Sequence, residues 1–251
     1  NGWGLKLIDS TTHLTLAGNV LLQPNAESWN SMEDSSSSSP NENNKALDFD
    51  GTNDYVVLPS SINSAITNNI TIEGWFYITS LGSMAMLVGE SFLGDGNIKF
   101  MIYRHNSSQL GTGFYNGSYQ THTSSMPTLN SWIHIAATYD QQNIITYYNG
   151  VEVARSANTA PLPNGQEEWR LGRRWDLTKY LDGAMDEVRI WNVARTQAEI
   201  QASMNVELSG SESGLVAYYK MNDGSGTSLI DSSSNSNTGT FTNMIDANRI
   251  A

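Results

Sequence analysis

Two neighbouring carboxylates, Asp186 and Glu187, lie inside YLDGAMDEVRIWNVARTQAEI (180–200). A pair of carboxyl groups about 5 Å apart on one side of a sugar is the equipment of a retaining glycosidase. On a regular strand, however, successive side chains point to opposite faces, so the sequence predicts one acid on each face. The stretch therefore reads as a strand end or anchor rather than a catalytic dyad, with Glu187 turned away from Asp186.

A second group of residues suits binding better than bond breaking. Sugar sites combine aromatic rings for C–H faces with planar polar groups for hydroxyls, and shallow grooves suffice. EEWRLGRRWDLTKY (167–180) has that make-up, with Arg173, Arg174, Trp175, Asp176, Lys179 and Tyr180 running past Gly172 into a loop. Adjacent arginines suit two-pronged contacts to an anionic group. A plainer reading stays open, with Trp169 in the core and Arg173 or Arg174 paired with Glu167, Glu168 or Asp176. MIYRHNSSQLGTGFYNGSYQTHTSS (101–125) forms a second patch. Alternation sets Tyr103 and His105 on one face and Arg104 on the other, with Tyr119, Gln120 and His122 further along. A histidine beside a tyrosine could take the proton next to a uronate carboxylate, although ordinary polar strand residues explain the same pattern.

The elements that position these residues are many short strands. KALDF (45–49), YVVLP (55–59), ITIEGWFYI (70–78), MAMLVGE (84–90), IKFMIYRH (98–105), WIHIAATY (132–139), IITYYN (144–149), VEVARS (151–156), EWRLG (168–172), AMDEVRIWN (184–192) and GLVAYYKM (214–221) all carry β-type composition. Asn149-Gly150 is a hairpin signal, since both residues tolerate positive φ. One helix is expected after Thr196, which can cap it with Glu199 at the reciprocal position. Nothing alternates strand with helix, so the fold class is all-β, an antiparallel sandwich with one short helix.

Composition narrows the function classes. The 251 residues carry 13 basic and 25 acidic side chains, a net charge of −12, which lacks the basic footprint of a nucleic-acid binder. There is no cysteine, which excludes disulfides and thiolate metal sites. No apolar run approaches the roughly 20 residues of a membrane span. No phosphate loop or Gly-x-Ser-x-Gly elbow occurs. DSSSSSPNENN (34–44) reads as a loop or linker between an N-terminal segment (1–44), which fits either a hairpin of the same sandwich or a separate appendage, and a main domain (45–251).

ALDFDGTNDYVVLP (46–59), ITIEGWFYI (70–78), SWIHIAATYD (131–140) with ITYYNGVEVA (145–154), LDGAMDEVRIWNVART (181–196) and GLVAYYKMNDGSGTSLIDSSSNSNTGT (214–240) resemble, in order, the laminin G-like, concanavalin A-like (pentraxin-like) jelly rolls of bacterial secreted proteins. The last motif comes first in many relatives. Its place here fits a terminal strand completing the sandwich, or the start of a second module. The resemblance implies a two-sheet antiparallel jelly-roll sandwich that binds carbohydrate, and it leaves residues 1–44 unexplained. It also implies structural calcium held by hard oxygen ligands, for which Asp186, Asp50, Asp54 and Asp231 are the candidates. Turn-shaping by Asp50 and Asp231 is the alternative. The acid-x-acid-x-x-acid strand of related glucanases has no match. Gln120-Thr121-His122 resembles an element of alginate lyases, whose arginine-rich and late tyrosine motifs are absent.

The resulting expectation is a non-catalytic module recognising a polysaccharide, anionic or sulfated, within a larger secreted or cell-surface protein. A polysaccharide lyase or hydrolase using Arg104, Tyr119 and His122 is the first rival. A protein-adhesion domain is the second. Trp75 and Trp132 are expected in the core.

Overall fold

The computed structural model describes residues 45–79, 85–91, 96–174, 179–222, 225–245 and 248–250, together with the backbone of two short paired strands, β1 (Leu14–Leu16) and β2 (Val20–Leu22). The chain divides into units Asn1–Ser38 and Ser39–Ala251. The break falls inside the serine run that the composition marks as a linker.

In the larger unit, two antiparallel sheets of eight strands form the sandwich. Sheet I runs in the order β12 (Val151–Ala157), β11 (Asn143–Tyr148), β10 (Trp132–Tyr139), β5 (Ile70–Ile78), β14 (Asp182–Trp191), β3 (Ala46–Asp50), β18 (Arg249–Ile250), and β15 (Leu215–Tyr219) pairs along the rest of β14. Sheet II runs β16 (Ser228–Leu229), β17 (Gly239–Thr242), β4 (Tyr55–Leu58), β13 (Trp169–Leu171), β6 (Met86–Glu90), β7 (Ile98–Asn106), β8 (Gln109–Tyr115), β9 (Tyr119–Ser125). The C-terminal segment therefore completes this sandwich, adding β16 and β17 to one sheet and β18 to the other.

Period-two patterning builds the core. Ile70, Ile72, Phe76 and Ile78 of β5 enter the main apolar cluster, where Ile135, Ala137 and Tyr139 of β10 and Phe100, Ile102, Leu110 and Phe114 of the facing sheet meet them. Each large apolar side chain so buried contributes about 1.5–3 kcal/mol. The residues between them, Thr71, Glu73, Trp75 and Tyr77, face outward. Trp75 and Trp132 are thus not core residues. Trp75 donates its indole N–H to the Met204 carbonyl (2.8 Å), and Trp132 packs on Tyr77 (5.8 Å between rings).

Turn and cap chemistry follow the sequence closely. Asn149 (φ 47°) and Gly150 (φ 71°) turn β11 into β12. Thr196 caps α2 (Gln197–Ser203) with the reciprocal Glu199 bond. A shorter helix, α1 (Ser61–Ala65), was not expected. Nor were β8 and β9, whose sequences QLGTGFY and YQTHTSS are rich in Gly, Thr and Ser and poor in apolar alternation.

Candidate functional site: the outer face of sheet II

Asp186 and Glu187 do not alternate. β14 and β5 slip register between Asp186 and Arg189, and Glu187 sits at φ 53°. This bulge inserts one residue, so the expectation of one acid per face is corrected: both turn to the outer side of sheet I. They are nonetheless closed to any substrate. Asp186 is fully buried and its Oδ1 accepts the Glu187 N–H (2.8 Å). Glu187 Oε2 accepts from Arg189 Nη2 (2.6 Å) and from the Tyr218 hydroxyl (2.5 Å).

Arg189 also donates to the carbonyls of Ser203 (2.9 Å) and Val206 (2.7 Å), tying the end of α2 to the sheet. Beside it, Glu73 accepts from Trp191 Nε1 (2.8 Å) and Arg195 Nη1 (3.3 Å), with His134 Nε2 at 3.7 Å. Burial raises the Glu73 and Glu187 carboxyls above their ordinary range, against the pull of Arg189. Burial, with Arg189 and Arg195, pushes His134 down to about 3. This charged layer under α2 is structural.

Sheet II presents a different outer face. Met101 and Tyr103 of β7 leave the main core and join Met86 and Ile98 in a separate cluster on which Tyr115 packs. Opposite them in register stand Gly113, Gly111 and Gly89. A Cβ at Gly111 would fall inside the Tyr103 ring, so this glycine lets the tyrosine lie flat on the sheet. The Tyr103 hydroxyl reaches His105 Nδ1 at 3.4 Å, and the rings meet edge-on. Burial raises the Tyr103 hydroxyl, with the Thr121 hydrogen bond opposing, Tyr119 adding to the rise and Arg174 opposing it. Tyr119, 57 % exposed, sits edge-on to Tyr115 at 4.9 Å across the β8–β9 pair.

The 167–180 patch reaches the same face. Arg173 stacks over Tyr55 (4.3 Å) and Tyr180 (5.3 Å) and bridges to Tyr180, while the Arg174 N–H donates to the Lys179 carbonyl (2.8 Å). Arg170 lies 5.8 Å from the Tyr55 ring and pairs with Glu168 (3.2 Å). Two patches distant in sequence thus share one sheet, with β6 lying between β13 and β7. Trp175 and Asp176 lie outside the described residues. Trp169 is fully buried. Tyr55 escaped sequence reasoning, although alternation against Val56 and Leu58 could have placed it here.

Other assignments change. Arg104 is buried on the inner side of β7, with Nε donating to the Asn106 carbonyl (3.0 Å), so it is no part of this face. His122 also points inward, bonding Thr146 Oγ1 (2.8 Å) and Ser156 Oγ (3.2 Å), and burial holds it down to about 4. Tyr119 and His122 therefore stand on opposite sides of β9.

Of the four calcium candidates only Asp50 and Asp54 are neighbours, the Asp50 N–H donating to Asp54 Oδ2 (3.3 Å). Asp231 is filled by protein donors: the N–H groups of Tyr218, Ser233 and Asn237 and the Ser233 hydroxyl, at 2.7–2.9 Å. Asp50 caps its own turn through Thr52 and Asn53. Asp54 accepts from Asn248 Nδ2 (2.8 Å). Asp186 is buried on the outer side of sheet I, where its Oδ1 is taken by the Glu187 N–H. Among the described residues no three His, Asp or Glu side chains are grouped to hold a metal.

The two-sheet jelly-roll sandwich defines a lectin-like fold class. Residues 50–201 match the laminin G family model described as the concanavalin A-like lectin/glucanases superfamily, and the chain belongs to that family. It is 36 % identical over 88 residues to pappalysin-1 of Mus musculus and 35 % identical to that of Homo sapiens, in each case over 33 % of this chain. It matches 5 % of the length of these relatives. Among solved structures, a Bacteroides ovatus protein described as carbohydrate-binding is 23 % identical with TM-score 0.64, over 82 % of this chain and 61 % of that one. The CBM40 of a Ruminococcus gnavus sialidase is 15 % identical with TM-score 0.53, over 63 % and 96 %. No described helix is long and apolar enough to cross a membrane.

Proposed function

We propose that the outer face of sheet II binds a polysaccharide without cleaving it, and that the chain serves as a module of a larger secreted or cell-surface protein. The observation carrying this reading is the strand order β13, β6, β7, β8, β9, which sets the 167–180 and 101–125 patches side by side on one sheet, with Tyr119 exposed at its edge. Aromatic rings at a shallow surface suit sugar C–H faces. Arg173, Arg174 and Lys179 bring three of the 13 basic residues to one stretch of a chain of charge −12, which favours an anionic or sulfated polymer, while Arg170 is buried and paired with Glu168. The carbohydrate-binding relatives of the same fold add support. The separation of Tyr119 from His122 speaks against the lyase reading, because a proton-abstracting pair needs both at one reacting carbon.

The test is an affinity-gel panel of neutral, uronate and sulfated polysaccharides, run with and without EDTA, assaying reducing and unsaturated ends in the same tubes. Retention on anionic polymers, undiminished by EDTA and without new chain ends, is expected. New ends would establish the enzyme reading. Absence of retention on every polymer would favour protein adhesion.

A further inference from the structure

Beneath sheet II lies a buried polar cluster that the binding face does not use. Asn63 of α1, Glu90 of β6, Lys99 of β7 and Trp169 of β13 are all at most 5 % exposed. The Asn63 amide is held at every atom. Its Nδ2 donates to Glu90 Oε1 (2.8 Å) and to the Glu167 carbonyl (2.8 Å), and its Oδ1 accepts from Trp169 Nε1 (2.8 Å). Glu90 is fixed in turn by the N–H groups of Lys99 (2.5 Å) and Glu167 (3.0 Å). Any side chain at Gly165 would collide with the Glu90 carboxylate, so the loop backbone closes directly over it. The Lys99 amine donates to the backbone carbonyls of Asn63 (2.8 Å) and Ile66 (2.7 Å).

An amine, a carboxamide and a carboxyl group thus share one dry site, the amine already touching the residue that bears the amide. We propose that Lys99 and Asn63 condense to an intramolecular isopeptide bond, with Glu90 as the proton carrier and Trp169 polarising the amide carbonyl. Lys99 first gives a proton to the Glu90 carboxylate. A turn of its last side-chain torsions brings the neutral amine from the Asn63 main-chain carbonyl to Cγ, where its lone pair forms the new C–N bond. The Trp169 indole N–H bonds the oxygen as charge develops on it. Glu90 delivers its proton to Nδ2, the C–Nδ2 bond breaks, ammonia leaves, and Glu90 recovers a proton from the attacking nitrogen. The products are one secondary amide and one ammonia, with no oxidation or reduction.

Burial assists the first step from both sides. It raises the Glu90 carboxyl to about 7 and lowers the Lys99 amine, favouring the neutral pair. The bond would tie α1 to β7 across 36 residues in a chain that has no cysteine with which to make a disulfide.

The test is the intact mass of the purified full chain, followed by proteolysis and fragment sequencing. A mass below that of the sequence by one ammonia is expected, together with a branched peptide joining Lys99 to Asn63. Asn149-Gly150 can also lose ammonia by cyclising, so Lys99→Arg, which keeps the cation but cannot condense, must restore the full mass. A full mass in the wild-type chain, a deficit that persists in Lys99→Arg, or separate unmodified peptides carrying Lys99 and Asn63 would each overturn the proposal. The wild-type peptide result decides the matter even where the variant fails to fold.

Discussion

The outer face of sheet I carries Glu73, Trp75, His134, Arg189 and Trp191, whereas that of sheet II carries Tyr55, Tyr103, His105, Tyr119 and the arginines at 170, 173 and 174. Both are mixtures of rings and charges, the composition expected of a ligand site. On sheet I the charges bond each other and the backbone around α2, and Glu73, His134 and Arg189 are at most 1 % exposed. On sheet II Arg170 and Arg173 lie over the Tyr55 ring, and His105 and Tyr119 reach the surface. Composition alone does not distinguish a site from a seal. What distinguishes them is whether a capped helix lies over the face, and α2 lies over only one.

The sharpest way to break this contrast is to unbalance the sealed face. Arg189→Met leaves Glu187 and Glu73 without their shared cation in a buried setting, and removing one partner of a buried pair costs about 3–5 kcal/mol. Urea denaturation is expected to show a loss of that size. A loss below about 1 kcal/mol, the range of surface pairs, would mean that water reaches the network and the face is not sealed.

Acid should attack the same face next. His134 is held neutral with its pKa down to about 3, whereas the unfolded chain takes up that proton near pH 6.5. Its stabilising contribution is therefore whole above about pH 6.5 and falls as pH drops toward 3, by on the order of 1.4 kcal/mol per unit. Glu73 and Glu187, raised by burial, work in the opposite sense and contribute less as pH rises. Comparing urea midpoints of wild type and His134→Gln across this window isolates the histidine, and the variant should show the shallower acid slope. Equal slopes would place the histidine in contact with solvent.

On sheet II, Gly111→Ala drives a methyl group into the Tyr103 ring. Overpacking of this kind costs about 1–3 kcal/mol. Displacing Tyr103 also moves His105 and the ground under Tyr119, so retention on the polysaccharide gel should drop together with the melting temperature. Unchanged retention in a destabilised protein would remove Tyr103 from the site.

Much of this was legible in the chain. The Asn149-Gly150 turn, the Thr196–Glu199 cap and the strands on either side of them depend on neighbours in sequence, and local chemistry decides them. The bulge at Glu187 was not legible, because a residue other than glycine takes positive φ there under constraint from Arg189 and Tyr218, partners supplied by the fold. The inward turn of His122 depends on Thr146 and Ser156 of the other sheet, and Glu73 meets Arg195 across 122 residues. The candidate face was readable as two patches. That they are one patch follows only from the pairing order of β13, β6 and β7.

The mildest change asks most directly whether that patch is a site. Tyr119 is more than half exposed and contacts chiefly Tyr115, so Tyr119→Ala should alter stability by no more than about 0.5 kcal/mol, the range of ordinary surface substitutions. A ring on which a sugar stacks loses far more than that in binding, since truncating a central aromatic commonly costs over 1 kcal/mol of affinity, about fivefold or more in Kd. Thr240→Ala on β17 is the matched control, exposed on the same sheet but beyond the tyrosines. If Tyr119→Ala weakens retention while Thr240→Ala does not, binding lies at the β8–β9 end of the face. If both retain polymer as wild type does, the ligand contacts sit at the Tyr55–Arg173–Tyr180 stack, and Tyr180→Ala becomes the variant that must fail.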